Sequence, residues 1–411
     1  MQLRGITNAR ILDTETGQMS DPCTIHISEG KISQITQTVA SHQDLSSEQE
    51  GILDARGSIV MPGLIDCHVH VLATTADLAQ LGNESPFYLA ARAAHFMRDM
   101  LRRGFTTVRD AGGAEYGLAM SIFEGLIEAP RLFYGGKALS QTGGHADMRG
   151  PGTQVFDDHQ CCPHIGIICD GVDEVRKACR ENIRTGAHHI KLMLSGGVAS
   201  PTDRIDSTQF SDDEIRAAVE EAVAANIYVL GHAYTAKAVN RGLRLGVRSI
   251  EHGNLIDDES IQLFLENDAF LVPTLVTYER LKLDGPANGL PKESQDKVDT
   301  VLFAGLDALS KAHEAGVNIA FGSDLLGAMQ THQSDEFRIR AKVQDSLAIL
   351  RSATTVAARL IGQEGKLGVI QPDAYADILV LNQDPTKDVT ALAEPAKCIR
   401  EVVRGGNLIS G

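Results

Sequence analysis

The segment Pro62–His70, with the sequence PGLIDCHVH, sets the organisation of the chain. The apolar residues at 59–61 and 64–65 predict a β-strand that ends in two histidines separated by one residue. Because side chains alternate between the two faces of a strand, His68 and His70 point to the same side. Two neutral imidazoles at a strand end supply half of a metal site. The rest of the chain would have to supply the other half.

Composition and charge exclude several classes of protein. The chain has 411 residues, of which 43% are hydrophobic and 22% charged, and this length suits one large barrel domain plus a smaller module. The net charge of −16, without a basic cluster, argues against a nucleic acid or an anionic membrane as partner. The sequence has no membrane-spanning apolar run and does not start like a signal peptide, so we expect a cytoplasmic protein. Seven irregularly spaced cysteines, with Cys161 and Cys162 adjacent, indicate reduced structural thiols.

Both ends of the chain are rich in short strands bounded by turn signals. The predicted strands lie at residues 9–12, 24–27, 31–35, 376–381 and 399–404. We expect the two ends to pair into a small β-sandwich module that comprises residues 1–61 and 365–411.

The middle of the chain alternates between short apolar runs and helical patterns, which is typical of βα units. Eight apolar runs predict strands, at residues 60–65, 105–109, 131–135, 189–194, 228–231, 249–252, 270–273 and 318–321. The helical stretch at 212–225 begins with a capping-box pattern at Ser211. Eight alternations over roughly 300 residues predict an α/β protein with a (β/α)8 TIM-type barrel at residues 62–364.

Functional residues of such a barrel lie where its strands end. Those positions hold, in chain order, His68, His70, Asp110, His145, Lys191, His232, His252 and Asp324. A single histidine at a strand end is more often a structural residue, but several together favour a metal site.

The chain resembles the amidohydrolase superfamily over its whole length, including the split β module. The resemblance rests on six residues in the same order and on the same strands: His68, His70, Lys191, His232, His252 and Asp324. Four segments further resemble the branch of prolidase-like Xaa-Pro dipeptidases, Xaa-Arg/Lys carboxypeptidases and ochratoxin-type amidases, namely residues 62–70, 190–197, 231–234 and 249–253. Members of this superfamily are commonly homo-oligomers, so the resemblance implies a homo-oligomer as well.

The resemblance implies a pair of divalent metal ions, with zinc preferred. The implied ligands are His68, His70 and Asp324 for the first ion, and His232 and His252 for the second. Lys191, carboxylated by carbon dioxide to N6-carboxylysine, would bridge the two ions. Carboxylation requires an unprotonated amine, which burial beside cations favours. The alternative for Lys191, an ion pair with an acid inside the barrel, is disfavoured by the residues around it.

Thr235 distinguishes this chain from mononuclear relatives. Deaminases and imidazolonepropionases usually carry a glutamate at this position, three residues after the fifth-strand histidine, and they lack the bridging lysine. Both differences favour a binuclear amide hydrolase. In such an enzyme, a hydroxide that bridges the metals would attack the scissile carbonyl, and Asp324 would move the proton from the water to the leaving nitrogen.

Three further residues are candidates for substrate binding. Tyr234 shares a strand face with His232 and would donate to the carbonyl oxygen during attack, or else pack a loop at the rim. A substrate carboxylate needs a cation or a donor, for which His145 in its glycine-rich loop is preferred to Arg204. Tyr234 and His145 would thus act with Asp324 in catalysis. The remaining assignments are supporting roles for Asp66 and Asp110, a salt bridge behind the strand for Glu251, and packing for Cys67, His188 and His189.

These features predict a metal-dependent hydrolase that cleaves the amide bond before a C-terminal residue in dipeptides or N-acyl amino acids. Proline or a hydrophobic residue is the preferred leaving group. A carboxypeptidase for C-terminal Arg or Lys is an alternative, which the loop acids Asp203 and Asp206 leave open, and hydrolysis of cyclic amides or lactones is another. A metal-free scaffold protein is disfavoured, because all six ligands are present.

Overall fold

The computed structural model describes residues 1–37, 50–150, 152 and 164–409. Its N-terminal part forms five strands: β1 (Gly5–Ile11), β2 (Cys23–Ser28), β3 (Lys31–Gln37), β4 (Ile52–Asp54) and β5 (Ile59–Pro62). β1 pairs antiparallel with β2 and parallel with β4 and β5. The strands predicted near the N-terminus are therefore present.

Ten parallel strands form the middle of the molecule. They are β6 (Leu64–Val69), β7 (Phe105–Asp110), β8 (Arg131–Tyr134), β9 (Ala138–Ser140), β10 (Gly166–Ile168), β11 (His189–Met193), β12 (Tyr228–Thr235), β13 (Ser249–Leu255), β14 (Phe270–Val272) and β15 (Asn318–Ile319). Seven of the eight predicted strands are among them, and the eighth, predicted at residues 60–65, is divided between β5 of the N-terminal sheet and β6. β9 and β10 are additional. They form one sheet of β6-β7-β8 and a second of β10-β9-β11-β12-β13-β14-β15.

Backbone hydrogen bonds join these two sheets into a closed barrel. His188 N donates to Tyr134 O over 2.8 Å between the ends of the two sheets. On the other side, Cys67 N donates to Phe321 O and Asp324 N to His68 O, both over 2.8 Å. The predicted (β/α)8 barrel is confirmed, and its closure brings the first strand against the last.

Helices connect the strands and cover the barrel. They are α1 (Pro86–Arg102), α2 (Tyr116–Phe123), α3 (Val172–Arg184), α4 (Asp212–Ala224), α5 (Ala236–Arg244), α6 (Asp258–Glu266), α7 (Leu275–Leu283), α8 (Lys292–Glu314), α9 (Asp335–Arg340), α10 (Ser346–Ser352), α11 (Thr355–Leu360) and α12 (Pro395–Cys398). The capping box predicted for α4 forms between Ser211 and Glu214. Thr235 caps α5 by accepting from Ala238 N. Among the described residues, no helix has the length and apolar character needed to cross a membrane.

Three C-terminal strands complete the β module: β16 (Ile378–Leu381), β17 (Ile399–Arg404) and β18 (Asn407–Leu408). β16 pairs antiparallel with β5, so both chain ends share one eight-stranded sheet of order β18-β17-β16-β5-β1-β2-β3, with β4 beside β1. The module has its own apolar core, which includes Ile6, Ile25, Ile32, Ile378 and Val403. The predicted pairing of the two ends is confirmed.

The described cysteines are buried free thiols: Cys23, Cys67, Cys169, Cys179 and Cys398. Cys67 packs in an apolar cluster with Phe133 and Phe270, and burial raises the pKa of its thiol to about 12. It is thus a packing residue, as expected. The predicted thiols Cys161 and Cys162 lie outside the described residues.

Candidate metal centre

The six predicted ligands line one pocket at the carboxyl ends of the barrel strands: His68, His70, Lys191, His232, His252 and Asp324. Three of them offer ligand atoms within 4.8 Å of one another, since Nε2 of His68 and Nε2 of His70 lie 3.3 and 3.4 Å from Oδ1 of Asp324. The ring of His252 has its centroid 5.2 Å from that of His68 and 4.6 Å from that of His232. Closure of the barrel thus assembles residues from five strands.

Each of the four histidines has one ring nitrogen held by an oxygen. The contacts are His68 Nδ1 to Glu251 Oε2 (2.7 Å), His70 Nδ1 to Gly112 O (2.9 Å), His252 Nδ1 to Thr274 Oγ1 (2.7 Å) and His232 Nε2 to Gly196 O (3.2 Å). The second nitrogen of each ring is left for a ligand bond. Burial lowers the pKa of His232 and of His252 well below its usual value, so both rings are neutral at pH 7.

Glu251 lies beneath this cluster, and its predicted position behind the strand is wrong. Its carboxylate contacts His68 and the buried guanidinium of Arg109. Strict alternation would place Glu251 and His252 on opposite faces, but His252 has φ of +77°, in the left-handed region. This break in the extended backbone lets two successive side chains reach the site. Asp324 is also left-handed, with φ of +52°.

Asp66 and Asp110 hold the backbone around the histidines. Asp66 accepts from His68 N and from both N and Oγ of Ser323, next to Asp324. Asp110 accepts from the backbone N–H groups of Val71, Gly112 and Ala114, and so fixes the loop whose Gly112 O contacts His70. The supporting roles expected for both aspartates are present: Asp110 acts through main-chain groups, and Asp66 through main-chain groups and the Ser323 hydroxyl.

Lys191 is 2% exposed, on β11 between the histidines. Burial lowers the pKa of its amine to about 8; Arg109 acts in the same direction, and the carboxylates of Glu251 and Asp324 oppose the shift. An appreciable fraction of the amine is therefore neutral near pH 7, and the neutral amine is the form that reacts with carbon dioxide.

Tyr234 and His145 lie in the same pocket, whereas Arg204 does not line it. The Tyr234 ring is 4.8 Å from that of His232, and its hydroxyl accepts from Tyr278 over 3.3 Å. His145 stacks on His232 with ring centroids 4.1 Å apart. The side chain of Arg204 is 81% exposed and pairs with Asp206.

Several residues at the site were missed from the sequence. Thr274 and Tyr278 follow β14, a strand end at which no candidate was named, although a search of every strand end would have reached them. Ser200, on a loop, and Lys297, on α8, contact partners that lie far from them in the sequence, and no periodicity predicts such contacts. His189 contacts Asp110 O deeper in the barrel and is a packing residue, as expected.

The donor set fits divalent transition-metal ions. Imidazoles with one nitrogen anchored and one carboxylate are the ligand types expected for zinc rather than for an all-oxygen ion such as magnesium. Burial alone would raise the pKa of Asp324, but its histidine neighbours hold it well below its usual value, so this carboxylate is ionised.

Comparison with known proteins places this barrel and pocket in a class of hydrolases. The chain belongs to the amidohydrolase family, whose model matches residues 59–409. Ochratoxinase from Aspergillus niger is 33% identical over 373 residues, which cover 87% of this chain and 76% of that protein.

Two solved structures extend the similarity. A prolidase in complex with N-methylphosphonate-L-proline is 46% identical with a TM-score of 0.94, covering 99% of both chains. A Xaa-Pro dipeptidase with bound methionine in its active site is 31% identical with a TM-score of 0.87, also over 99% of both chains. The predicted superfamily and branch are confirmed.

Proposed function

We propose that this protein releases an apolar C-terminal residue, such as proline, from dipeptides or N-acyl amino acids. The character of the pocket supports this proposal most directly. Beyond the metal-binding cluster, the walls are mainly apolar and include Leu78, Met148, Ile165, Met193, Val198, Leu281 and Leu326. Among the described residues lining the pocket, Asp324 is the one carboxylate, and its histidine neighbours already surround it.

This lining disfavours the carboxypeptidase alternative. A C-terminal Arg or Lys side chain would enter an apolar pocket without a carboxylate partner, which is costly for a desolvated charge. Asp206 is exposed and paired with Arg204, and Asp203 is engaged by Ser200 and Lys297. The names of the similar proteins agree with a substrate of the proposed kind, since they are a prolidase, a Xaa-Pro dipeptidase and an ochratoxinase.

We infer that the six cluster residues would hold two divalent cations, with zinc preferred, and that Lys191 would do so as N6-carboxylysine. Bound there, the cations would polarise the scissile carbonyl and lower the pKa of a coordinated water. Asp324 is the base that accepts the water's proton and returns it to the leaving nitrogen. The hydroxyl of Tyr234, oriented by Tyr278, donates to the carbonyl oxygen as negative charge develops there.

His145, as an imidazolium that can donate from both ring nitrogens, is the proposed partner of the substrate carboxylate. Its Nδ1 contacts Ser200 Oγ over 2.7 Å and lies 3.7 Å from Asp203 Oδ2, so the other ring nitrogen is the one available to the pocket. The backbone before it, at Gly143, has φ of +68°, a conformation that favours glycine.

The experiment is a substrate screen with zinc-loaded protein. Dipeptides and N-acyl amino acids that end in Pro, Leu, Met or Phe are compared with those that end in Arg or Lys, and with cyclic amides and lactones. We expect specificity constants about 100-fold higher for apolar than for basic C-terminal residues, equivalent to roughly 3 kcal/mol. Equal constants, or faster lactone hydrolysis, would contradict the proposal.

Elemental analysis tests the metal assignment and the scaffold alternative together. We expect two equivalents per chain after mild purification, and less than one would refute a binuclear site. The domain division at residues 61 and 365, a cytoplasmic location and a homo-oligomeric state stay predictions, the last of which light scattering measures.

A further inference from the structure

His145 is held between two surfaces. One face of its imidazole stacks on His232, with the ring planes 25° from parallel. On the loop that follows β11, Gly197 packs so closely against the ring that an added Cβ would lie 1.9 Å from Cε1 of His145. A ring held in this way has little freedom to turn, so its direction depends on the position of that loop.

The loop also fixes the proton on the ring. The carboxylate of Asp203 can only accept, so Ser200 Oγ donates to Asp203 and accepts from His145 Nδ1. Oδ2 of Asp203 accepts further from Gly197 N (3.1 Å) and from Gln209 Nε2 (3.0 Å). These hydrogen bonds connect Gly197 and Asp203, at the two ends of the loop, to His145 in the pocket.

Lys297, on α8, binds the same loop from a distant part of the chain. Its ammonium donates to three backbone carbonyls, Gly197 O (3.0 Å), Ser200 O (2.9 Å) and Asp203 O (2.7 Å). Its nitrogen also lies 3.4 Å from Asp203 Oδ1. An ammonium has three protons, so its whole donor capacity is used on one loop. The side chain is 18% exposed, which limits competition from water.

We propose that Lys297 is a positioning residue that holds the loop of residues 197–203 in the conformation that presents His145 to the carboxylate of the substrate. The role of His145 in this inference rests on the proposed function. Lys297 itself is not among the residues that line the pocket, so it acts through the loop. Without the hydrogen bonds from Lys297, the loop of residues 197–203 is free to move. The imidazole of His145 then loses the contact with Gly197 on one face. The effect falls on recognition of the carboxylate, not on the chemistry at the scissile bond.

The test compares Lys297→Met, which keeps the aliphatic stem but removes the donors, with Lys297→Arg, which retains donors. Lys311→Met is the matched control, because Lys311 lies on the same helix and pairs with Asp307 at the surface. Each variant is assayed with the best dipeptide substrate and with the same dipeptide as its C-terminal carboxamide. Hydrogen exchange of the amides in residues 195–209 is measured in parallel.

We expect Lys297→Met to raise KM for the carboxylate substrate about 10-fold or more, with kcat changed far less and with KM for the carboxamide unchanged. Exchange in residues 195–209 should accelerate, Lys297→Arg should recover much of the carboxylate preference, and Lys311→Met should behave as wild type. If Lys297→Met is too unstable to assay, Ser200→Ala breaks the same network and carries the same expectation.

Equal effects on the carboxylate and the carboxamide, or unchanged exchange in the loop, would overturn the inference and leave the proposed function intact. Failure of the wild-type protein to hydrolyse any carboxylate-terminated amide would instead refute the proposed function, and the inference with it.

Discussion

Oε2 of Glu251 lies 2.7 Å from Nδ1 of His68, and Oε1 of the same carboxylate lies 2.8 Å from a guanidinium nitrogen of Arg109. All three side chains are buried. Burial alone would raise the pKa of Glu251, but Arg109 and His68 hold it well below its usual value. An ionised Glu251 keeps the proton of His68 on Nδ1 and leaves Nε2 for a metal.

Glu251→Gln should therefore weaken metal binding about 10- to 100-fold, because the amide supports His68 less strongly. It should also cost about 3–5 kcal/mol of stability, since Arg109 would stay buried without a counter-charge. Competition with a chelator measures the first effect, and urea unfolding of the metal-free protein measures the second. Glu279→Gln is the control, because Glu279 forms a partly exposed ion pair with Arg338 at the surface. It should change metal affinity and stability only slightly.

Lys191→Ala should lose at least one metal equivalent and nearly all activity, because it removes the residue proposed to bridge the two ions. Short carboxylic acids that fill the gap should restore part of both. Elemental analysis and a rate assay with added acetate or propionate provide the measurement. Full activity of the variant without additives would refute the bridging role.

Asp324→Asn should retain at least one metal ion but lower kcat about 100- to 10,000-fold, because the amide cannot accept the proton of the attacking water. Metal content and kcat are measured on the same preparation. The exposed residue Asp206 supplies the control, Asp206→Asn, which should keep wild-type kcat. Normal turnover by Asp324→Asn would exclude Asp324 as the proton carrier.

The two candidates for carboxylate binding can be separated by His145→Asn and Arg204→Ala. His145 lines the pocket and Arg204 points to solvent, so only the histidine variant should raise KM, by about 10-fold or more for a charge-assisted hydrogen bond. Initial rates with one carboxylate-terminated substrate suffice. The reverse ranking would show that the loop carrying Arg204 closes over the substrate.

Tyr234→Phe should lower kcat about 100-fold, as expected for loss of a donor to the developing oxyanion. Tyr278→Phe removes the hydroxyl that donates to Tyr234 and should have a smaller effect on kcat. Single-turnover rates distinguish this loss from slower product release. Equal kcat values for wild type and Tyr234→Phe would leave Tyr234 with its packing role alone.

The strands could be predicted from local patterns, whereas the six cluster residues were identified by their places at strand ends together with the resemblance to the amidohydrolase superfamily. Apolar runs mark the strands, and strand ends of a barrel converge whatever the loops do. The pairing of the two chain ends into a β module could also be predicted, because both ends are rich in short strands. Apolar residues from both ends form one core.

What escaped prediction depends on backbone conformation or long-range contact. Glu251 was misplaced because alternation assumes an extended strand, and His252 departs from it with φ of +77°. The sequence left both His145 and Arg204 as candidates for binding the substrate carboxylate, with His145 preferred. No local pattern shows which of these loop residues points into the pocket. Lys297 lies about a hundred residues from its loop partners, and no pattern links them.

The hydrogen bond from Asp324 N to His68 O joins two residues that are synthesised at well separated times. At typical synthesis rates, the 256 residues from Val69 to Asp324 take roughly 10 to 50 seconds to make. During that interval, the barrel cannot close between these two residues, because Asp324 has not yet been made. Binding of the proposed cations by the full set of six ligands would therefore have to follow completion of the barrel.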